Sequence, residues 1–245
     1  MDHMLYVAMN GASQVMLAEA ANDNNLANAN TVGFMSDLEA FRAMPVYGPG
    51  YPTRVYAMEE RPGIDMKPGI IRSTGRSLDV AVNGNGFIAV QAPDGSEAYT
   101  RAGNLEISAN GLLMTGAGYP VIGNSGPIAI PPSQKISIGA DGTISVVPLG
   151  QTPDTMAVID RIKLVDPPAD ALVKGSDGLI HLASGGSAPA DASVHLVSGS
   201  IESSNVNVVD AMVNMIALAR QFEMQVKMMH TSQQNDQSAA QIMAL

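Results

Sequence analysis

Gly84, Gly86 and Ala89 reproduce the Gly-x-Gly-x-x-Ala spacing of a dinucleotide-binding turn. That turn holds a pyrophosphate only where a helix N-terminus follows and directs its free N–H groups at the anion. Here the chain continues Phe87-Ile88-Ala89-Val90-Gln91, so a strand is expected and Asn83-Gly84 reads as a hairpin turn. His3, His181, His195 and His230 are scattered, without a His-x-x-x-His pair or an adjacent acidic cluster. His181 and His195 could meet across two strands, but with no cysteine and no evident third ligand a metal site is not expected. Gly185-Gly186-Ser187-Ala188-Pro189 lacks the last glycine of a hydrolase elbow, and no Ser-x-x-Lys pair occurs. Asp154, Asp160, Asp166 and Asp170 lie in a proline-containing stretch and read as solvated loop charge, not as a carboxylate pair. No catalytic group, cofactor or metal is expected, and the chain is not read as an enzyme.

Composition narrows the partners. The chain has 13 basic and 23 acidic residues and a formal charge of −10, which repels phosphate backbones and makes nucleic acid a poor partner. Hydrophobic residues make up 46%, enough for a substantial core, while Trp is absent and aromatics are 4%, which disfavours aromatic ligand cages. The first residues carry no basic start and apolar run of a secretory signal. The longest uncharged stretch, 107–134, is broken by Gly111, Gly116, Gly118, Pro120, Gly123 and Pro127, so membrane insertion is not expected.

These absences direct attention to the elements. Residues 2–31 hold no proline, are rich in alanine and place Leu5, Ala8, Ala12 and Val15 at alternating three- and four-residue steps, a helical seam. The seam resumes at Leu26 and Ala29, Gly33 is a plausible stop, and the helix would be about 45 Å long. Five asparagines crowd its last third (Asn22, Asn24, Asn25, Asn28 and Asn30), although Asn competes for backbone hydrogen bonds in helices. Partners outside the helix must satisfy them, and amide hydrogen bonds to neighbouring subunits are one expectation beside a solvated polar face.

Pro45, Pro49, Pro52, Pro62 and Pro68, with several glycines, predict an extended connector that Tyr47, Tyr51 and Tyr56 could anchor. Short apolar runs then follow at 78–82, 87–90, 136–138 and 143–147. They are punctuated by Asn83-Gly84, Asp94-Gly95, Asn110-Gly111, Asp141-Gly142 and Asp177-Gly178, which indicates an all-β domain. The last segment opens with Asn207 as a helix cap and Asp210 three residues on. Val208, Met212, Met215, Ala219, Phe222, Val226 and Met229 keep one apolar stripe in coiled-coil register.

The expected fold is therefore α+β and multi-domain: N- and C-terminal helices paired in a coiled-coil-like domain, with a central all-β domain. The expected boundaries are 1–33 for the first helix, 34–77 for the connector, 78–198 for the β domain and 199–245 for the second helix. Two paired helices leave much apolar surface uncovered, so further copies are the natural way to bury it. The expected subunit interface comprises Leu5, Ala8, Ala12, Val15, Asn25, Leu26, Asn28, Asn30, Val208, Met212, Met215, Ala219, Phe222, Val226 and Met229.

Three blocks sharpen this picture. Asn24-Asn25-Leu26-Ala27-Asn28-Ala29-Asn30-Thr31-Val32-Gly33-Phe34 resembles the N-terminal signature of the bacterial flagellar rod and hook family. Residues 78–87 with Tyr99-Thr100-Arg101-Ala102-Gly103-Asn104-Leu105, and Gly199-Ser200-Ile201-Glu202-Ser203-Ser204-Asn205-Val206, agree with the same family. The resemblance covers nearly the whole chain and is strongest to proximal-rod members, with distal-rod members as the alternative. It implies a structural subunit of the flagellar basal body that polymerises with itself and other rod subunits into the periplasmic drive shaft. It also implies passage through the flagellar type III export apparatus without a cleaved signal peptide. Termini that order only on docking would follow from the uncovered stripe. Rival readings are a secreted β-domain adhesin with oligomerisation helices, and a hydrolase whose site is hidden between 148 and 189.

Overall fold

The computed structural model describes residues 4–47, 54–150 and 156–243. They form two compact units: Met1–Ala27 with Asp37–Pro62 and Asn207–Leu245, and Asn28–Ser36 with Gly63–Val206. The α+β architecture expected from the pattern is present.

The first unit is built on helices α1 (Met4–Ala27) and α2 (Val208–Met243). They run antiparallel, since Asn22 bonds the Ala211 carbonyl at one end while Gly11 faces Gln225 nearer the other. α2 begins as its sequence demands: the Asn207 carboxamide oxygen accepts from Val209 N at 3.1 Å, and its nitrogen donates to Asp210 Oδ2 at 2.7 Å. α1 stops four residues short of the expected Thr31, because Asn28 turns the chain by accepting from Thr31 N at 3.0 Å and from its hydroxyl at 3.1 Å.

The stretch expected as an extended connector is folded over most of its length. Asp37–Pro45 and Val55–Ile64 pair as a two-stranded sheet, with Arg42 and Glu60 bridged at 2.6 Å. Prolines excluded a helix there but not strands: Pro45 is the last residue of the first strand. Glu59 N donates to Gln14 Oε1 at 2.7 Å, which fastens this hairpin to α1. Tyr47 is 81% exposed, Tyr56 is half-buried, and Tyr51 lies outside the described residues.

The second unit is antiparallel β throughout its paired strands. Five strands order as Leu164–Val165, Phe87–Gln91, Glu97–Thr100, Ile180–Leu182 and Leu172–Lys174. Phe87 and Ala89 pack into one apolar cluster with Tyr99, Val165 and Leu172, while Ile88 and Val90 pack into another with Val80, Leu105, Leu113 and Ile144. Period-two alternation thus explains an unbroken apolar run, since both faces of this strand are covered. A second sheet holds Ala157–Arg161, Thr143–Pro148 and Ser133–Ile138, and its edge strand carries a bulge that leaves Ile159 without a ladder partner. An edge bulge obstructs pairing with another chain.

Four of the five turn dipeptides close hairpins, at Asp94, Asn110, Asp141 and Asp177. Asn83-Gly84 does not. Val80–Asn83 pairs with His195–Ser198, whereas Phe87–Gln91 belongs to the five-stranded sheet, so residues 84–86 form a corner between sheets. His181 and His195 accordingly lie in different sheets, and His181 is partnered by Asp177 at 3.0 Å.

Candidate subunit interface

α1 buries Ala8, Gly11, Ala12, Val15, Ala18, Ala21 and Asn22, so the expected seam residues Ala8, Ala12 and Val15 are on its covered face. Leu5, near the start of α1, is 37% exposed, and Leu26 is half-buried. The facing row of α2 is rotated from the expected stripe. Ala211, Leu218 and Ser232 are buried and Met215, Phe222, Gln225 and Met229 half-buried, at steps of four and three residues. Met215, Phe222 and Met229 belong to both rows. Val208, Met212 and Ala219 are exposed and Val226 is half-buried. Sequence periodicity missed the rotation because two apolar rows coexist on α2. The choice is made by α1, whose Gly11 accepts the Gln225 carboxamide, with a Cβ at this glycine falling 2.9 Å from Gln225 Cδ.

The intramolecular core of the hairpin is small: Val15, Ala18 and Leu218, with Phe222 packed against them. Outside it stand Tyr6, Met9, Met16 and Leu17 on α1 and Val209, Met212, Val213, Ile216 and Met224 on α2, all exposed. Residues 212, 216, 220, 224 and 228 form one i, i+4 ridge, apolar except for Arg220. Beside it a groove of about 420 Å³ is lined by Phe222, Glu223, Val226, Lys227 and His230.

The asparagine amides are used within the chain. Asn22 Nδ2 donates to the Ala211 carbonyl at 3.0 Å, and Asn25 grips the Asp37 backbone at both ends, donating to its carbonyl at 3.1 Å and accepting from its N–H at 2.9 Å. Asn28 caps the turn already described. At these positions the amides find partners within the chain; Asn30 is exposed.

The three sequence blocks converge within the β unit. Arg101, 2% exposed, donates from Nη1 to Glu202 at 2.9 and 3.2 Å, from Nε to the Gly86 carbonyl at 3.1 Å and from Nη2 to the Gly84 carbonyl at 2.6 Å. The glycine turn thus offers carbonyls to a cation, the opposite polarity to a phosphate cradle. Gly69 N also donates to Glu202 Oε1 at 2.7 Å, and the Glu202 carbonyl accepts from Gly33 N at 2.9 Å. Gly33 has φ +67°, and a Cβ there would fall 2.2 Å from the Arg101 carbonyl carbon, so this position needs glycine for close approach, not for stopping α1.

Nearby, Lys174 Nζ sits 3.9 Å from the Phe34 ring centre and donates to the Met35 carbonyl. Asn205 accepts from Ser36 N at 2.8 Å and donates to the carbonyls of Asp65 and Lys67 at 2.9 and 3.1 Å. On the sheet above, burial pushes the Tyr99 phenol up to about 12, and its hydroxyl is held by Ala188 N and Glu97. The Arg101–Glu202 pairing was not anticipated; its only sequence trace is one charge in each of two weakly charged blocks.

With helices, β unit and their shared signature in place, the comparisons with known proteins define a class. A flagellar hook protein FlgE/F/G D1 domain model matches residues 81–146, and a flagellar basal body rod FlgEFG protein C-terminal model matches residues 197–242. The flagellar basal-body rod protein FlgF of Salmonella typhimurium is 43% identical and that of Escherichia coli 44%, each over 100% of both chains. The rod protein FlgG of Bacillus subtilis is 33% identical over 93% of this chain and 94% of its own. The chain belongs to the FlgF family of flagellar basal-body rod proteins.

Proposed function

We propose that this chain is a structural, non-enzymatic subunit of the proximal flagellar rod, and that it polymerises with itself and other rod subunits through its terminal helices. The observation that carries this is the second apolar face of the helical hairpin, left exposed after the seam between α1 and α2 is filled. Each fully covered Val, Leu, Ile or Met is worth about 1.5–3 kcal/mol, so a neighbouring helix laid along the 212–228 ridge would gain several such contributions. The full-length similarity to FlgF proteins supports the proximal assignment over the distal one. Residence in the periplasmic rod and export by the flagellar type III route, without a cleaved signal peptide, complete the proposal.

Two classes of variant separate docking from folding. Ile216→Asp places a charge on the exposed ridge and is expected to abolish swimming and incorporation into basal bodies while the isolated subunit keeps its thermal transition. Phe222→Asp strikes the intramolecular seam and is expected to lower that transition as well. Normal swimming by the Ile216→Asp strain would overturn the proposed interface and favour a function residing in the β unit, such as adhesion.

A further inference from the structure

Methionine recurs among the exposed apolar side chains of both helices. Met9 and Met16, seven residues apart on α1, are 55% and 57% exposed, and Met212, Met224 and Met228 on α2 are 51%, 60% and 38% exposed. The three on α2 lie on a single ridge with Ile216 between them. The fully buried seam residues include no methionine, and Met215 and Met229 are half-shielded there. The chain has no cysteine, so thioether sulfurs are its only oxidisable sulfurs. A thioether is apolar and adaptable, whereas its sulfoxide is polar and chiral and breaks an apolar contact.

We infer that Met9, Met16, Met212, Met224 and Met228 form an oxidation-sensitive modification site, at which conversion to sulfoxide blocks docking of the subunit. The inference rests on the docking proposal above and adds its regulation. The ridge is open to oxidant in the free subunit and covered once a neighbour docks. With hypochlorous acid the sulfur lone pair bonds to chlorine and hydroxide leaves. Water then attacks the chlorosulfonium sulfur, chloride departs, and two protons are lost, one of them neutralising the hydroxide. The sulfur gives up two electrons and chlorine takes them, so thioether and hypochlorous acid become sulfoxide, chloride and one proton. Methionine sulfoxide reductases, one for each epimer, reverse the change.

The test compares two strains that lack their own copy. One carries the natural chain and the other the five-fold variant Met9→Leu, Met16→Leu, Met212→Leu, Met224→Leu and Met228→Leu, which keeps volume and apolarity without sulfur. Both receive the same sublethal pulse of hypochlorous acid during rod growth. Sulfoxide is read at each methionine by peptide mass spectrometry, and subunit per basal body by immunoblot. The natural chain is expected to lose about tenfold in incorporation, equivalent to about 1.4 kcal/mol, while the leucine variant is unaffected. Repair by the two reductases is expected to restore it. Undiminished incorporation of the sulfoxidised natural chain overturns the inference, and so does an equal loss in both strains, which would place the damage at another methionine such as Met215 or Met44. Unoxidised Ile216→Asp runs alongside: if it incorporates normally the docking proposal has failed and the inference falls with it, whereas if it is excluded while the sulfoxidised chain incorporates, only the oxidation inference is lost.

Discussion

Arg101 and Glu202 sit a hundred residues apart in sequence and share one dry hydrogen-bonded centre, with side chains 2% and 3% exposed. Removing one partner strands the other charge, so Glu202→Ala is expected to cost about 3–5 kcal/mol, measured as a lowered urea midpoint in the tyrosine near-ultraviolet signal of the full chain. Replacing both by methionine is expected to recover most of that loss, because no charge is then left buried. None of this pairing was legible in the sequence, since a single Arg in Tyr99–Leu105 and a single Glu in 199–206 carry no information about their distance. The asparagines were half legible. Their need for partners outside the helix followed from Asn chemistry, but the partners of Asn22 and Asn25 are backbone groups at 211 and 37, which only the folded chain brings near. Resemblance pointed to the right blocks, and the structure supplies the reason these blocks hold the residues they do.

Among the elements, the helical hairpin is joined by small side chains. Alanine and glycine at 8, 11, 12, 18 and 21 let the helices approach closely but bury little apolar area each. Ala18 is fully buried against Leu218 and Val15, so Ala18→Leu overpacks the seam and is expected to cost about 1–3 kcal/mol, read as a lower thermal midpoint in far-ultraviolet circular dichroism. Gly11→Ala would place a Cβ 2.9 Å from Gln225 Cδ, so the carboxamide must leave its place in the seam, and the substitution is expected to lower the same midpoint. Helix existence, the Asn207 cap and strands expected at 87–90, 136–138 and 143–147 were all readable, because period and cap chemistry are local, although each strand runs further in the structure. The rotation of α2 was not, because two apolar rows satisfy the same periodicity and only the shape of α1 selects between them. The hairpin at 37–64 escaped for a different reason: prolines and glycines report what a segment cannot form, not what it pairs with.

At the scale of the whole molecule the β unit is an insertion into the helical one, entered at 28–36 and 63 and left at 206. The two cores differ greatly in substance, Val15, Ala18 and Leu218 against the two extensive clusters of the sheets. Heating a dilute subunit is therefore expected to melt the helices first, with helical ellipticity lost below the temperature at which the tyrosine signal of the β unit collapses. A single coincident transition would contradict independent cores and the idea that helices gain their stability on docking. Composition and turn chemistry foretold an insertion of this kind, but not its borders, which are drawn by long-range bonds at 33, 36, 101 and 202. Asn205 adds one consequence. Its single carboxamide binds residues 36, 65 and 67, so the segment that ends at Ser36, the one that opens at Gly63 and the one that closes at Val206 are tied together within the β unit. A unit whose entering and leaving segments are fastened to one another can lengthen or lose loops elsewhere without loosening its own ends, so its surface is free to diversify while its boundary residues stay fixed.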